Sequence, residues 1–114
     1  MEFIMHNMKL HEEPFNKIKS GDKTIEMRLF DEKRKEININ DIIEFTNINT
    51  DEKIKCKVTN LYPYNSFEEL YKHFDKISLG YDESSVPSYN DMEKYYPKEK
   101  QEKYGVLAIE IKRI

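Results

Sequence analysis

Gly21-Asp22-Lys23-Thr24-Ile25-Glu26-Met27-Arg28-Leu29-Phe30 is the stretch whose reading decides the fold. Before it, His11 to Ser20 spaces Phe15 and Ile18 along one helical face after Pro14, a good first-turn residue, and Gly21 supplies the stop. Within it, Ile25, Met27 and Leu29 alternate with Thr24, Glu26, Arg28 and Phe30, the pattern of a strand with one apolar and one strongly polar face. Strand side chains repeat every two residues, so Glu26 and Arg28 leave by the same face, with Lys23 in the tight connection beside them. Three ionisable groups thus converge at a helix terminus. An ammonium and a guanidinium fork bind phosphate or carbonyl oxygen, and a carboxylate orients the fork, accepts from a base amino group or serves as general base. The competing structural reading is a solvated strand face whose Glu26 and Arg28 pair across the sheet with Lys55 or Lys57, a contribution of little energetic weight.

On the N-terminal side, residues 1–10 (MEFIMHNMKL) read as an opening strand with Phe3, Met5 and Asn7 on one face and Ile4, His6 and Met8 on the other. On the C-terminal side, the charged run 31–36 (DEKRKE) breaks the pattern, and Asn40-Asp41 turns the chain into a strand over 42–46. Residues 47–51 read as a hairpin turn into 53–62, where Ile54, Cys56, Val58 and Asn60 alternate with Lys53, Lys55, Lys57 and Thr59. After Pro63, Ser66 is an N-cap with Glu69 three residues on, and Phe67, Leu70, Tyr71 and Phe74 predict a helix over 66–76. Short helices over 88–96 and 98–103 are split by Pro97, and 104–113 closes the chain as a buried strand. About five strands and two to three helices predict an α+β fold, a small curved or barrel-like sheet with helices over its ends.

The chain has 114 residues and a mass of 13.8 kDa, enough for one domain with a real core, expected to span residues 1–114. With 38% apolar residues, 8 Tyr, 6 Phe and 13 Ile, it carries enough apolar bulk to order itself despite 36% charge. The longest apolar run falls far short of the roughly 20 residues a spanning helix needs, so no membrane partner is expected. Residues 1–10 lack the layout of a secretory signal, and the expected location is cytoplasmic. A single cysteine, Cys56, excludes an intrachain disulfide, and no pair among His6, His11 and His73 has zinc-site spacing, so neither a metal nor another cofactor is expected. His6 and His11 flank the strand-to-helix junction beside the predicted cleft and can serve there as donors. Net charge is -3, but it is uneven. Residues 17–35 carry seven basic and four acidic groups, whereas 66–96 carry three basic and seven acidic. Of 3 Arg against 16 Lys, two, Arg28 and Arg34, fall within this basic region, where a planar fork suits recognition.

Further candidates weigh a functional role against a structural one. Lys33 and Arg34, with Lys35, can meet phosphates at a cleft rim or form an ordinary solvated loop. Tyr62 and Tyr64 flank Pro63 and can stack on a base or pack at the core rim. Tyr81, Tyr89, Tyr95, Tyr96 and Tyr104 are read as staples between the C-terminal helices and the sheet. Cys56 alternates with lysines and is expected to pack inward.

The run from Met8 to Phe45, with Gly21, Lys23, Glu26 and Arg28 in the spacing Gly-x-Lys-x-x-Glu-x-Arg, then Asn40-Asp41 and a closing strand from Tyr104-Gly105-Val106, resembles the ASCH domain family. The resemblance implies a PUA-like fold, a small mixed or antiparallel β-barrel with helices over its openings. It also implies a cleft lined by Lys23, Glu26 and Arg28, and RNA binding. Some small bacterial members resemble hydrolases that deacetylate N4-acetylcytidine with a lysine, a threonine and a glutamate. Lys23 matches that lysine, but the threonine's position holds Glu26, with Thr24 one residue after the lysine. The partner glutamate falls among Glu68, Glu69 and Glu83.

The leading expectation is therefore RNA or nucleotide binding, with Lys23 and a basic extension of Lys33 and Arg34 meeting phosphate. Glu26 and Arg28 would read an unstacked base, with Tyr62 available for stacking. The alternatives are a small amidohydrolase in which Lys23 polarises a carbonyl and Glu26 activates water, and a protein-interaction module using the acidic, tyrosine-rich C-terminal half.

Overall fold

In the computed structural model, which describes residues 4–114, Phe15 and Ile18 are the buried face of helix α1 (Glu12–Ser20). Gly21 ends this helix in a left-handed conformation, φ 93°, and its N–H donates to the Ile18 carbonyl. Two acidic residues open α1 and two lysines close it, which matches the helix dipole. The helix leads from strand β1 (Met5–Leu10) to strand β2 (Ile25–Leu29). The opening strand expected over 1–10 is confirmed from Met5 onward, and its first three residues lie outside the described residues.

Strands β3 (Ile42–Asn47), β4 (Lys53–Tyr64) and β5 (Val106–Arg113) complete one curled sheet in the order β1-β3-β4-β5-β2. The β1–β3 pair is parallel and the other three are antiparallel, so the sheet is mixed, an α+β half-barrel of the PUA-like type. β4 serves both halves of the curl. A bulge between Val58 and Asn60 leaves Thr59 unpaired, and the Thr59 hydroxyl meets the Glu110 carboxylate at 2.8 Å. The alternation expected along this strand is present: Ile54, Cys56 and Val58 are buried while Lys53, Lys55 and Lys57 face water.

The sheet has core on both sides. Phe15, Ile18, Ile43, Phe45, Cys56 and Ile109 belong to one cluster, and Ile25, Met27, Phe67, Leu70, Leu79 and Ala108 to the other. Strand β5 alternates between them, which is why its sequence reads as a continuous apolar run. Each fully buried side chain of this size contributes about 1.5–3 kcal/mol relative to exposure. Burial pushes the Cys56 thiol up to about 11, so it is packing material rather than a nucleophile.

Three expectations for the helices need correction. The charged run after β2 is a short helix, α2 (Glu32–Lys35), because the Asp31 carboxylate caps it by accepting from the Arg34 N–H at 3.1 Å. The helix expected over 66–76 is only α3 (Phe67–Leu70), although Ser66 does cap it. Beyond Tyr71 the N–H groups of Lys72 and His73 donate three residues back, and the chain turns through Asp75 and Ser78. The Ser78 carbonyl accepts from the N–H groups of Thr24 and Ile25, so docking onto β2 overrides local helical preference. Likewise the segment 88–96 contains only α4 (Asn90–Glu93), while α5 (Lys98–Tyr104) follows Pro97 as expected.

Candidate functional site

β2 lies beside β5, not β4, and this placement decides the character of its polar face. Glu26 is in register with Ile109 and Arg28 with Leu107, both residues of the interior cluster. The solvated-face reading, with ion pairs to Lys55 or Lys57, is thereby overturned. Glu26 is only 4% exposed and Lys23 6%.

The three charges form one buried array. Glu26 Oε2 accepts from Arg28 Nε at 3.1 Å and from Arg28 Nη2 at 2.9 Å. Glu26 Oε1 accepts from the Met27 N–H at 3.2 Å and stands 3.7 Å from Lys23 Nζ. Lys23 Nζ donates to the Leu79 carbonyl at 2.9 Å. Arg28 Nη2 also donates to the Lys9 carbonyl at 3.2 Å, which bridges the two open edges of the sheet, β1 and β2. Tyr96 stands against the same guanidinium and shares the cavity lining with it.

Burial works against every charge in this array. It pushes the Lys23 ammonium below its ordinary range, and the attraction of Glu26 only partly offsets this. For Glu26 burial acts upward, but the Arg28 and Lys23 charges and the hydrogen bonds outweigh it and hold the carboxyl below its ordinary value. For Arg28 burial acts downward and is outweighed by Glu26, with Tyr96 adding to the stabilisation of the cation.

A cavity of about 250 Å³ opens directly over the array. Lys23, Glu26 and Arg28 form its floor, and Leu10, His11 and Pro14, from the junction of β1 and α1, form one wall. Met92, Tyr95 and Tyr96 line the cavity from the segment around residues 90–96, with the Tyr95 ring 6.4 Å from that of His11, and exposed Lys9 lines it too. The acidic C-terminal half thus folds over the basic cleft. Tyr96 stacks on Phe67 with ring centroids 5.7 Å apart, whereas Tyr95 is 61% exposed and so is no staple. His11, weighed as a residue that reaches the cleft, lines it. Tyr95, Tyr96 and Met92 were missed as site residues, because no spacing rule links positions 92–96 to 23–28.

The remaining candidates lie elsewhere. Lys33 lines a separate groove near Ile4 and His6, at the far end of β1. Arg34 pairs with Asp31 at 3.3 Å. Tyr62 packs against Phe74, and Tyr64 stacks on His73, on the other core cluster. None of Glu68, Glu69 and Glu83 lines the cavity over Lys23. His6 bonds Asp41 at 2.9 Å, and Asp41 also accepts from the N–H of Asn38, locking the turn before β3. Among the described residues no group of three or more His, Cys, Asp or Glu could hold a metal, and no helix is long and apolar enough to cross a membrane.

A curled, mixed five-stranded sheet with helices over its openings and a charged cleft between its edges defines a PUA-like domain. The chain belongs to the ASCH domain family, whose model matches residues 8–114. Among solved structures it is similar to the hypothetical protein PH0355, at 36% identity over 97% of this chain and 100% of that one, with a TM-score of 0.82. It is similar to protein PF0455 from Pyrococcus furiosus at 36% identity, with coverage of 97% and 98% and a TM-score of 0.71. An ASCH domain from Lactobacillus crispatus shares the fold at 13% identity, over 96% of this chain and 79% of that one, with a TM-score of 0.62. No curated protein matches the chain.

Proposed function

We propose that this ASCH domain binds RNA by taking a base component into the cleft over Arg28. The observation that carries this reading is the Glu26–Arg28 pair: two hydrogen bonds at 3.1 and 2.9 Å fix the guanidinium in the lining of the cavity. A fork held in this way donates to a base carbonyl or ring nitrogen without first being ordered, which lowers the cost of binding. Lys23 supports the array from below, since its ammonium is spent on Leu79 and Glu26. Exposed Lys9 at the rim is the cation placed to meet a phosphate. A cavity of 250 Å³ holds the equivalent of about eight waters, room for one base and not for a stacked run.

The geometry favours binding over hydrolysis. Both oxygens of Glu26 are engaged by Met27, Arg28 and Lys23, and a carboxyl held below its ordinary range is a weak base toward water. The test is fluorescence anisotropy of a labelled single-stranded RNA at about 50 and 200 mM salt, with wild type, Arg28→Gln and Lys9→Ala. Saturable binding is expected, lost in Arg28→Gln and less salt-sensitive in Lys9→Ala. Binding indifferent to Arg28 would overturn the reading, and mass-detected turnover of N4-acetylcytidine would favour the hydrolase instead.

A further inference from the structure

The row of lysines on β4 takes no part in the lining of the cleft. Lys53, Lys55 and Lys57 stand on the outside of the curl, while Ile54, Cys56 and Val58 between them belong to the interior cluster. Strand register carries the basic row onto the neighbouring strands. Lys57 lies directly opposite Lys112 of β5, and Lys53 lies opposite Thr46 of β3, which is in turn opposite Lys9 of β1. All five lysines are exposed. Side chains on one face recur about every 6.8 Å along a strand, and neighbouring strands lie about 4.8 Å apart, so the ammonium groups form a regular array.

Stability does not account for this face. Like charges directly opposite one another, as Lys57 and Lys112 are, destabilise a sheet. Lysines guard exposed edges against strand addition, but β4 is the middle strand of five, flanked by β3 and β5. Acidic neighbours do not neutralise the row. Glu44 is in register with Lys55 without an ion pair between them, and the Glu110 carboxylate is engaged by Thr59. Among the described residues none of the five lysines is ion-paired, whereas Lys17, Lys19, Lys35 and Lys72 each are.

The chemistry on offer is narrow. The other side chains of this face, Met5, Asn7, Ile42 and Thr46, carry neither ring nor guanidinium, so nothing here stacks on a base or forks onto a base edge. Protein interfaces favour aromatic residues, Met and Arg and are depleted in Lys, which weighs against a protein partner. A repeating row of ammonium point charges instead complements a polymer whose anionic group repeats at regular intervals.

We infer that the outer face of β3, β4 and β5 is a second binding surface, separate from the cleft, which holds the sugar–phosphate backbone of a nucleic-acid strand without reading its sequence. Lys9 at its border also lines the cleft, so one strand can run from the cleft onto the face. The face itself needs only phosphates and works with no base in the cleft.

The test measures binding of a short labelled abasic deoxyribose–phosphate strand, and of oligouridylate, to the full chain at about 20 mM salt and upward. The abasic strand is expected to bind saturably, with a slope of log affinity against log salt of about −3 for four lysines. The joint variant Lys53→Gln, Lys55→Gln, Lys57→Gln is expected to bind it at least about tenfold more weakly, with the slope reduced to about −1. Arg at the same three positions keeps the charge and is expected to stay within about twofold of wild type. Because the replaced side chains are exposed and repel one another, the urea midpoint of the Gln variant should not fall. Loss of abasic binding in the Gln variant supports the face whatever Arg28→Gln does to oligouridylate. Binding of oligouridylate but not of the abasic strand overturns the face and leaves the cleft reading standing. Abasic binding that the Gln variant keeps also overturns it. Tighter binding of phosphatidylserine vesicles or of polyglutamate than of the abasic strand overturns the nucleic-acid assignment in favour of a membrane or an acidic protein.

Discussion

Lys23 Nζ donates a hydrogen bond to the main-chain carbonyl of Leu79, 2.9 Å away and 56 residues later in the chain. This contact ties the connection after α1 to the loop that leads toward the tyrosine wall. Lys17 reinforces it by donating to the Gly80 carbonyl at 2.7 Å and to Asp82 at 2.8 Å. A buried ammonium that meets a carbonyl and a carboxylate orders both sides of the cleft at once.

Gly80 makes that approach possible. Its φ is +104°, and a Cβ there would stand 3.0 Å from Lys23 Cδ. Gly80→Ala is expected to cost about 1–3 kcal/mol, from backbone strain and from displacement of the Lys23 stem. Urea unfolding of wild type and variant measures it, and an unchanged midpoint would show that the loop does not depend on this contact.

Glu26→Gln leaves Lys23 and Arg28 buried without their counter-charge. The expected loss is about 3–5 kcal/mol near neutral pH. The folded-state carboxyl is held below its unfolded value, so its stabilising contribution is complete above the unfolded value and disappears as pH falls through the folded one. The gap in stability between wild type and Glu26→Gln should therefore shrink on acidification below about pH 4.5. Denaturation midpoints over that range check the sign. Asp41, also held low in the fold against the upward push of burial, titrates in both proteins and cancels in the difference.

Lys23 has the opposite consequence at alkaline pH. Burial lowers its folded value below 10.5, so between the two values the unfolded chain binds more protons and stability rises with pH. Lys23→Met removes this rising contribution. The comparison belongs below about pH 10, since above it the unfolded tyrosines ionise first and stability falls. Parallel stability profiles of the two proteins over this range would show that Lys23 is not desolvated.

Tyr81→Phe deletes the middle of the chain from Tyr71 to Asp91. A loss of about 1–2 kcal/mol is expected, because the Tyr71 hydroxyl and the Ser88 carbonyl each lose a partner. Hydrogen exchange should accelerate in α4 and leave β5 unchanged. Uniform acceleration would mean that the brace acts on the whole fold and not on the wall of the cleft.

The sequence alone determined most of the scaffold and the floor of the cleft. Pro14, the Phe15–Ile18 spacing and Gly21 delimit α1, and alternation over Ile25–Leu29 and Ile54–Val58 marks β2 and β4. These signals are local, set by helical and strand periods within a few residues, and so is the joint departure of Glu26 and Arg28 from one face. Tertiary structure alone decided that this face points inward, because burial depends on which strand lies alongside, and pairing β2 with β5 turned a polar face toward Leu107 and Ile109. It shortened the helix after Ser66, because the Ser78 carbonyl is committed to β2. It also brought the Tyr95 ring within 6.4 Å of that of His11, 84 residues away in the chain, and left Lys33, Arg34 and Tyr62 outside the cleft. Periodicity reports which face of an element a residue occupies; only the packing of elements reports what that face meets.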